Sequence, residues 1–156
     1  MRGDWKVENG ELIGRASGEQ TAVLLSDVVA DYFQLTAQIK VSGENAAAEF
    51  AFHGRVDVPK FQGCSLSLGG PTPANVWRYD AGSPAVSVPG KAAIVPGQWV
   101  ECRIESHGRD VAISLGGQPA FHLNDTPAGR NGFALYLRGG GAELRMKDVK
   151  LEITPH

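Results

Sequence analysis

The strongest constraint on the fold is a repeated alternation of apolar and polar residues, broken by short turns that contain glycine. The segment WVECRIESHGRDVAISLGGQPAF (99–121) carries apolar residues at every second position of 100–104 and 111–115, on either side of a His-Gly-Arg turn. Successive side chains of a strand point to opposite faces, so each run has one apolar face. The segment therefore predicts a β-hairpin with one buried side, and the role of the other side becomes the question.

The same pattern extends along the whole chain. The 20 glycines and 9 prolines recur at short intervals, which is typical of many short strands joined by tight turns. The alternation predicts twelve strands: Trp5–Val7, Leu12–Gly14, Ala22–Ser26, Tyr32–Val41, Ala46–Gly54, Cys64–Leu68, Val76–Tyr79, Trp99–Ser106, Asp110–Leu115, Pro119–Leu123, Gly132–Leu137 and Ala142–Ile153. Val56–Pro73 and Asp80–Gly97 are the least regular regions, and their prolines predict long loops there, where a β-scaffold usually carries function.

One segment also fits a helix. Residues 19–42 lack glycine and proline, and Val28, Tyr32, Leu35 and Ile39 are spaced as on one helical face. However, apolar residues also occupy every second position of 33–41. The β-rich context favours a strand. About a dozen strands predict an all-β fold in which two antiparallel sheets stack as a sandwich or jelly roll.

Length and charge narrow the class of protein. A chain of 156 residues is long enough for one domain with its own core, here expected to span 1–156. A formal net charge of −2, with acidic and basic residues intermixed, lacks the basic footprint of a nucleic-acid binder. No apolar run is long enough for a membrane span, and MRGDWKVENG is not a signal peptide. We expect a domain cut from a longer protein, extracytoplasmic if a leader was removed and otherwise cytoplasmic.

The two cysteines each alternate in step with apolar neighbours. Cys64 shares a face with Leu66, and Cys102 shares a face with Ile104. Two small buried thiols are the expected outcome. A disulfide is the alternative, and a metal site is disfavoured because there is no paired CxxC spacing.

Candidate chemistry begins in the segment AAAEFAFHGR (46–55). Strand alternation places Ala48, Phe50 and Phe52 toward the core, and it places Glu49, Ala51, His53 and Arg55 on the other face. A carboxylate, an imidazole and a guanidinium on one face suit sugar hydroxyls, and Glu49 with His53 could act as acid and base. The alternative is an ordinary solvated face.

Aromatic residues supply the other half of a sugar site. Trp77 and Tyr79 share one face of a predicted strand, and Tyr136 and Arg138 face outward from another. Aromatic rings stack on the apolar faces of sugars while their polar ends reach hydroxyl groups. The alternatives are that Trp77 and Tyr79 pack beneath the loop that follows them, and that Arg138 belongs to an ordinary hairpin.

Four stretches together resemble a known family: DWKVENGELIG, AVLLSDVVADYFQLTAQIKV, PGQWVECRIESHGRDVAISLGGQPAF and GFALYLRGGGAELRMKDVKLEI. Their order is similar to the concanavalin A-like jelly-roll domains of the 3-keto-disaccharide hydrolase type, relatives of laminin G-like and glycoside hydrolase family 16 folds. The resemblance implies a bacterial carbohydrate-related scaffold that uses its concave sheet for saccharides. It further implies structural Trp5 and Trp99, and a structural calcium whose candidate donors are Asn9, Glu11, Asn124, Asp125 and Asp148.

Several positions depart from the family's pattern. Gly116 replaces the Asn of a Leu-Asn-Gly turn, and 63–67 carries no carboxylate. The E-x-D-x-x-E run of family 16 relatives is absent, which disfavours glycosidase chemistry by two carboxylates. The leading expectation is therefore a non-catalytic domain that binds an oligosaccharide or polysaccharide, with other domains of a parent protein as further partners.

Seven residues are predicted to form that site: Glu49, His53, Arg55, Trp77, Tyr79, Tyr136 and Arg138. One alternative is a hydrolase or lyase that acts on keto-sugar glycosides, with Glu49 and His53 as proton-transfer groups. The other is a structural protein-interaction module.

Overall fold

The computed structural model describes residues 3–18, 20–55, 62–69, 74–80, 83–89, 94–124, 126 and 132–154, and of residues 55, 62, 80 and 83–89 it describes the backbone alone. These residues form thirteen strands: β1 (Asp4–Glu8), β2 (Glu11–Arg15), β3 (Ala22–Val29), β4 (Tyr32–Ser42), β5 (Ala47–Arg55), β6 (Gln62–Gly69), β7 (Asn75–Asp80), β8 (Ser83–Pro89), β9 (Val100–His107), β10 (Asp110–Leu115), β11 (Gln118–Leu123), β12 (Gly132–Arg138) and β13 (Glu143–Ile153). The described residues contain no helix with the length and hydrophobicity needed to cross a bilayer.

The strands form two antiparallel sheets. One has seven strands in the order β1-β2-β13-β4-β9-β10-β11, and the other has six in the order β3-β12-β5-β6-β7-β8. The predicted all-β sandwich of two antiparallel sheets is confirmed. Five of these neighbouring pairs (β2-β13, β13-β4, β4-β9, β3-β12 and β12-β5) join strands that are distant in sequence, so each sheet is assembled from both halves of the chain.

The core lies between the two sheets and follows the alternation in the sequence. Phe50 and Phe52 of β5 and Leu66 and Leu68 of β6 point inward from the six-stranded sheet, and Ile39 of β4 meets them from the other sheet. All five are at most 3% exposed. Burial of these inner faces drives the stacking, and it leaves both outer faces free for other roles.

Positive φ angles explain the tight turns. Asn9 (φ 52°) and Gly10 (φ 79°) join β1 to β2, and Gly116 (φ 59°) and Gly117 (φ 76°) join β10 to β11. Two consecutive positive φ angles are the signature of the hairpin turns that match strand twist. Both turns contain glycine, as expected for the tight turns that the sequence predicts between its strands.

The strand predictions hold with one omission. Each of the twelve predicted strands corresponds to a strand of the structure, and residues 22–29 and 32–42 are strands rather than a helix. The predicted loop Asp80–Gly97 is wrong for 83–89, because β8 pairs antiparallel with β7 there. Pro84 and Pro89, near the two ends of β8, are the reason that the sequence pattern predicted a loop there. Proline is tolerated at this position because β8 is an edge strand.

The cysteines are free and buried, as expected. Burial raises the pKa of each thiol to about 12. Both are therefore small core side chains, held as unreactive thiols rather than thiolates.

Candidate functional site

Most of the predicted site residues lie on the outer face of the six-stranded sheet. Inward residues of β5, β7 and β12 alternate with them along each strand. We call this surface the tyrosine face, and its members are Glu49, Ser65, Ser67, Trp77, Tyr79, Tyr136 and Arg138.

Strand register sets the arrangement of these side chains. Tyr136 of β12 pairs with Glu49 of β5, and Glu49 pairs with Ser67 of β6. In the next row, Ser65 of β6 pairs with Trp77 of β7. Neighbouring strands lie about 4.8 Å apart, so β12 to β7 spans about 14 Å.

Glu49 lies at the centre of the tyrosine face. Its carboxylate accepts a hydrogen bond from the Ser65 hydroxyl at 3.2 Å, and Arg138 Nη2 lies 3.2 Å from the other carboxylate oxygen. The Glu49 side chain is 13% exposed and that of Arg138 is 55% exposed. The carboxylate is therefore oriented from two sides, while the guanidinium keeps donors open to solvent.

Two tyrosines share the electrostatic environment of Glu49. Partial burial, and then the nearby Glu49 charge, raise the pKa of both Tyr79 and Tyr136, against an opposing effect of Arg138. Both phenols therefore stay protonated well above neutral pH. Each can donate one hydrogen bond and accept others.

Small residues form the floor beside these polar groups. Ala51 of β5 pairs with Ala134 of β12 on one side and Ser65 of β6 on the other. All three are at most 3% exposed. Short side chains between taller ones, Trp77 and Tyr136, make a trough rather than a flat sheet.

His53 is not on the tyrosine face, so the prediction that it points outward with Glu49 is wrong. The regular pairing of β5 with β6 shifts between Phe52 and Arg55, and His53 has a φ of 52°. This bulge turns the imidazole inward, where the residue is 1% exposed. The simple alternation expected from the sequence fails because a bulge adds a residue to one strand.

The buried imidazole is held by hydroxyl groups. The Ser106 hydroxyl donates to the Asp31 carbonyl at 2.6 Å, so it accepts from His53 Nε2, also at 2.6 Å. Thr126 Oγ1 lies 3.3 Å from Nδ1, and the ring packs edge-on against Phe33 and Phe52. His53 therefore links the two sheets and cannot serve Glu49 as a partner in proton transfer.

Of the remaining predicted residues, Arg55 lies outside the part of the chain whose side chains are described. Trp77 and Tyr79 are both partly buried on the tyrosine face. Sequence reasoning missed Ser65 and Ser67, which alternate with Leu66 and Leu68. That alternation was the signal that they share the outer face.

The candidate calcium donors that the structure describes are not grouped as a cation site. Glu11 contacts Arg145 at 3.2 Å, and Asp148 has a φ of 52° at a shift in the pairing of β13 with β4. Within the described ranges, no three His, Cys, Asp or Glu side chains are grouped to hold a metal ion. Asp125 lies outside those ranges. The described residues therefore do not fit the calcium that the resemblance implies.

The outer face of the seven-stranded sheet is built differently. Arg145 Nε contacts Glu143 at 2.6 Å, and Arg15 Nη2 contacts Glu143 at 2.7 Å. Hydrogen bonding from Arg145 is the main cause that lowers the pKa of Glu143. We call this surface the ion-pair face, with members Glu11, Arg15, Lys40, Trp99, Arg103, Glu105, Glu143, Arg145 and Lys147.

Trp99 belongs to this second face. The ammonium groups of Lys40 and Lys147 lie 4.8 and 4.5 Å from its ring centroid, within cation–π range. Trp5 packs on Gly14 of the neighbouring strand β2, where an added Cβ would lie 2.3 Å from the indole ring. Both rings make structural contacts, as the resemblance implies.

Comparison with solved structures identifies the same fold. The carbohydrate-binding module CBM66 from Bacillus subtilis has a TM-score of 0.76 at 17% identity, covering 97% of this chain and 92% of that one. A Bacillus subtilis protein of unknown function with a galectin-like fold has a TM-score of 0.74 at 11% identity, covering 97% and 87%. The carbohydrate recognition domain of Emp47p has a TM-score of 0.71 at 10% identity, covering 98% and 87%.

A search of curated protein sequences gave no significant match. A family model, by contrast, matches residues 1–152, which is nearly the whole chain, and its description is "3-keto-alpha-glucoside-1,2-lyase-like domain". Together with the galectin-like sandwich, this match confirms the resemblance that the sequence motifs indicate. The chain belongs to the 3-keto-alpha-glucoside-1,2-lyase-like domain family.

Proposed function

We propose that the protein binds a saccharide on the tyrosine face. The observation that carries the proposal is the Glu49 carboxylate, which is 13% exposed and fixed between Ser65 and Arg138 in the middle of an aromatic-lined trough. A preoriented carboxylate accepts hydrogen bonds from sugar hydroxyls. Water competes poorly at such a recessed position.

The surrounding groups complement Glu49 chemically. Arg138 donates hydrogen bonds, and the protonated Tyr79 and Tyr136 can both donate and accept them. The aromatic rings of Trp77 and of the two tyrosines can cover the apolar faces of a pyranose or furanose. A trough about 14 Å long has room for more than one sugar unit. The mixture of fixed polar groups with aromatic surface favours a neutral oligosaccharide over a charged ligand.

The structural neighbours support the same ligand class. A carbohydrate-binding module and a carbohydrate recognition domain share this fold over nearly their whole length. The identities are low, so this likeness supports the scaffold, and the side chains of the tyrosine face support the ligand.

An NMR titration of the isotope-labelled protein with a panel of neutral oligosaccharides, with and without calcium, tests the proposal. We expect saturable shifts at Glu49, Trp77 and Tyr136, with the ion-pair face unchanged. Shifts that are absent across the panel, or spread over both faces, contradict the proposal and favour a structural interaction module.

A second candidate function is cleavage of a keto-sugar glycoside, favoured by the family match over residues 1–152. In a 1,2-elimination, a base removes the proton at C2, which the neighbouring C3 carbonyl acidifies. The electron pair then forms the C1–C2 double bond as the C1–O bond breaks, and the leaving oxygen takes up a proton. On this face Glu49 is the available base, and Tyr79 or Tyr136 can supply a proton.

Incubation with a 3-keto-glucoside separates the two candidates. A lyase releases the alcohol and an enone that absorbs in the ultraviolet, and Glu49→Gln abolishes this turnover. A binding domain gives saturable shifts with no product. His53→Gln serves as a control, because His53 lies on the core side of the sheet and its replacement should leave turnover by the folded fraction unchanged.

A further inference from the structure

We propose that an apolar cavity between the two sheets is a binding site for an alkyl chain, independent of the saccharide site. The cavity has a volume of about 370 Å³ and is lined from both sheets, including Leu24, Leu135 and Phe50 on one side and Leu35, Ile104 and Leu151 on the other. Protein cores seldom leave voids larger than a water molecule. An opening of this size is therefore a feature to be explained.

The cavity exists because the two sheets end at different places. β2 pairs with β13 only up to the Leu12–Met146 pair, whereas β13 continues to Ile153. Beyond Met146, β13 therefore pairs with β4 on one side, and among the described residues no strand pairs with its other edge. Leu24 of β3 lines the cavity together with Val149 and Leu151 of β13, and Leu24, Leu35, Leu135 and Leu151 are only partly buried.

The chemistry of the lining selects the ligand. Among the described residues that line the cavity, Ser26 alone carries a polar side chain, and its hydroxyl already accepts a hydrogen bond from the Val28 amide at 3.0 Å. A ligand with polar groups inside would leave them unpaired, at a large desolvation cost. A peptide backbone is disfavoured for the same reason, while an apolar cavity of about 150 Å³ with similar lining stays dry and takes up benzene.

The entrance favours a chain with one end outside. Val149 of β13 borders the cavity and is 51% exposed. Two sheets packed about 10 Å apart leave a slot one side-chain layer thick, and most of its walls are branched aliphatic groups. An alkyl chain fits this slot with its polar head group in solvent, as in a fatty acid.

Methyl-labelled NMR spectra of the whole chain, titrated with hexanoate, octanoate and decanoate below their micelle concentrations, test the proposal. We expect saturable shifts of the Leu24, Leu35 and Leu135 methyl groups. Each added CH₂ group should lower the dissociation constant about fourfold. Bound decanoate should leave saccharide binding on the tyrosine face unchanged, so either proposal can be contradicted without affecting the other.

Cavity-filling variants provide the control. Leu35→Phe and Leu24→Phe, one from each sheet, should weaken decanoate binding at least tenfold, whereas Val7→Phe, at a residue 76% exposed on β1, should leave it unchanged. Unchanged affinity in both filled variants, or the absence of lining shifts, overturns the proposal. If both variants misfold, NOEs between decanoate and the Leu35 methyls in the unmodified chain decide. A dimer that Val149→Glu disrupts would assign the entrance to a second copy instead, and that result would overturn the proposal.

Discussion

The two outer faces of the sandwich have the same backbone geometry but use their charges differently. On the ion-pair face, Arg15, Glu143, Arg145 and Glu11 form a continuous chain of contacts across β2 and β13. On the tyrosine face, Glu49 is paired with one arginine and one serine, and aromatic and small residues surround it.

This difference indicates which face is available to a ligand. Charges that neutralise one another across strands form a solvated surface that contributes little beyond solubility. A carboxylate that is recessed and held by a guanidinium with open donors keeps hydrogen-bonding capacity for another molecule. The outer faces of the two sheets therefore differ in role, because the role of each depends on how fully its polar groups are paired with one another.

The largest difference in saccharide affinity between variants of the two faces is expected at Glu49. Glu49→Gln should weaken saccharide binding about ten- to a hundredfold, because a hydrogen bond to a charged group contributes about 1.5–3 kcal/mol. Glu101→Gln, at an outward position of β9 on the opposite sheet, is the matched control and should change binding by less than twofold. Isothermal titration calorimetry measures both. Equal losses in the two variants would mean that charge, not position, governs binding.

The two tryptophans provide the next test. Trp77→Ala should weaken saccharide binding about tenfold through lost stacking, while Trp99→Ala should leave affinity unchanged. Trp99→Ala should instead lower stability slightly, because it removes ring contacts with Lys40 and Lys147. Binding isotherms and thermal unfolding, measured on both variants, separate the two roles. Loss of binding in Trp99→Ala would contradict the proposal, because it would place the saccharide on the ion-pair face.

The smallest effect concerns pH and the ion-pair face. Arg145 holds the pKa of Glu143 below its ordinary value in the folded state, so the stabilisation is present above the ordinary glutamate pKa and is lost as pH falls through the folded-state pKa. Glu143→Gln removes the titrating carboxyl group, so the free energy of unfolding should fall less steeply with decreasing pH in this acidic range. At alkaline pH the free energy of unfolding of the variant should hardly vary with pH. An identical acid limb in Glu143→Gln and the unmodified protein would show that the ion pair contributes nothing.

Much of the candidate site follows from alternation along single strands. The pattern of β5 places Glu49 opposite Phe50 and Phe52, and the pattern of β12 places Tyr136 and Arg138 opposite Leu137. The same rule failed at His53, because a bulge changes which face a residue occupies without any break in the sequence pattern. It also missed β8, since edge pairing tolerates the prolines that usually indicate loops.

By itself, the sequence determined twelve of the thirteen described strands, most of their turns and most of the residues that share a face, because these depend on backbone stereochemistry and on the two-residue period of a strand. Only the tertiary structure decided which strands are neighbours. That choice brings Glu49, Ser65 and Arg138 within contact distance from β5, β6 and β12, and beside the cavity it leaves β13 paired with β4 alone among the described strands. Strand order depends on packing between segments far apart in sequence, and no local pattern encodes that packing.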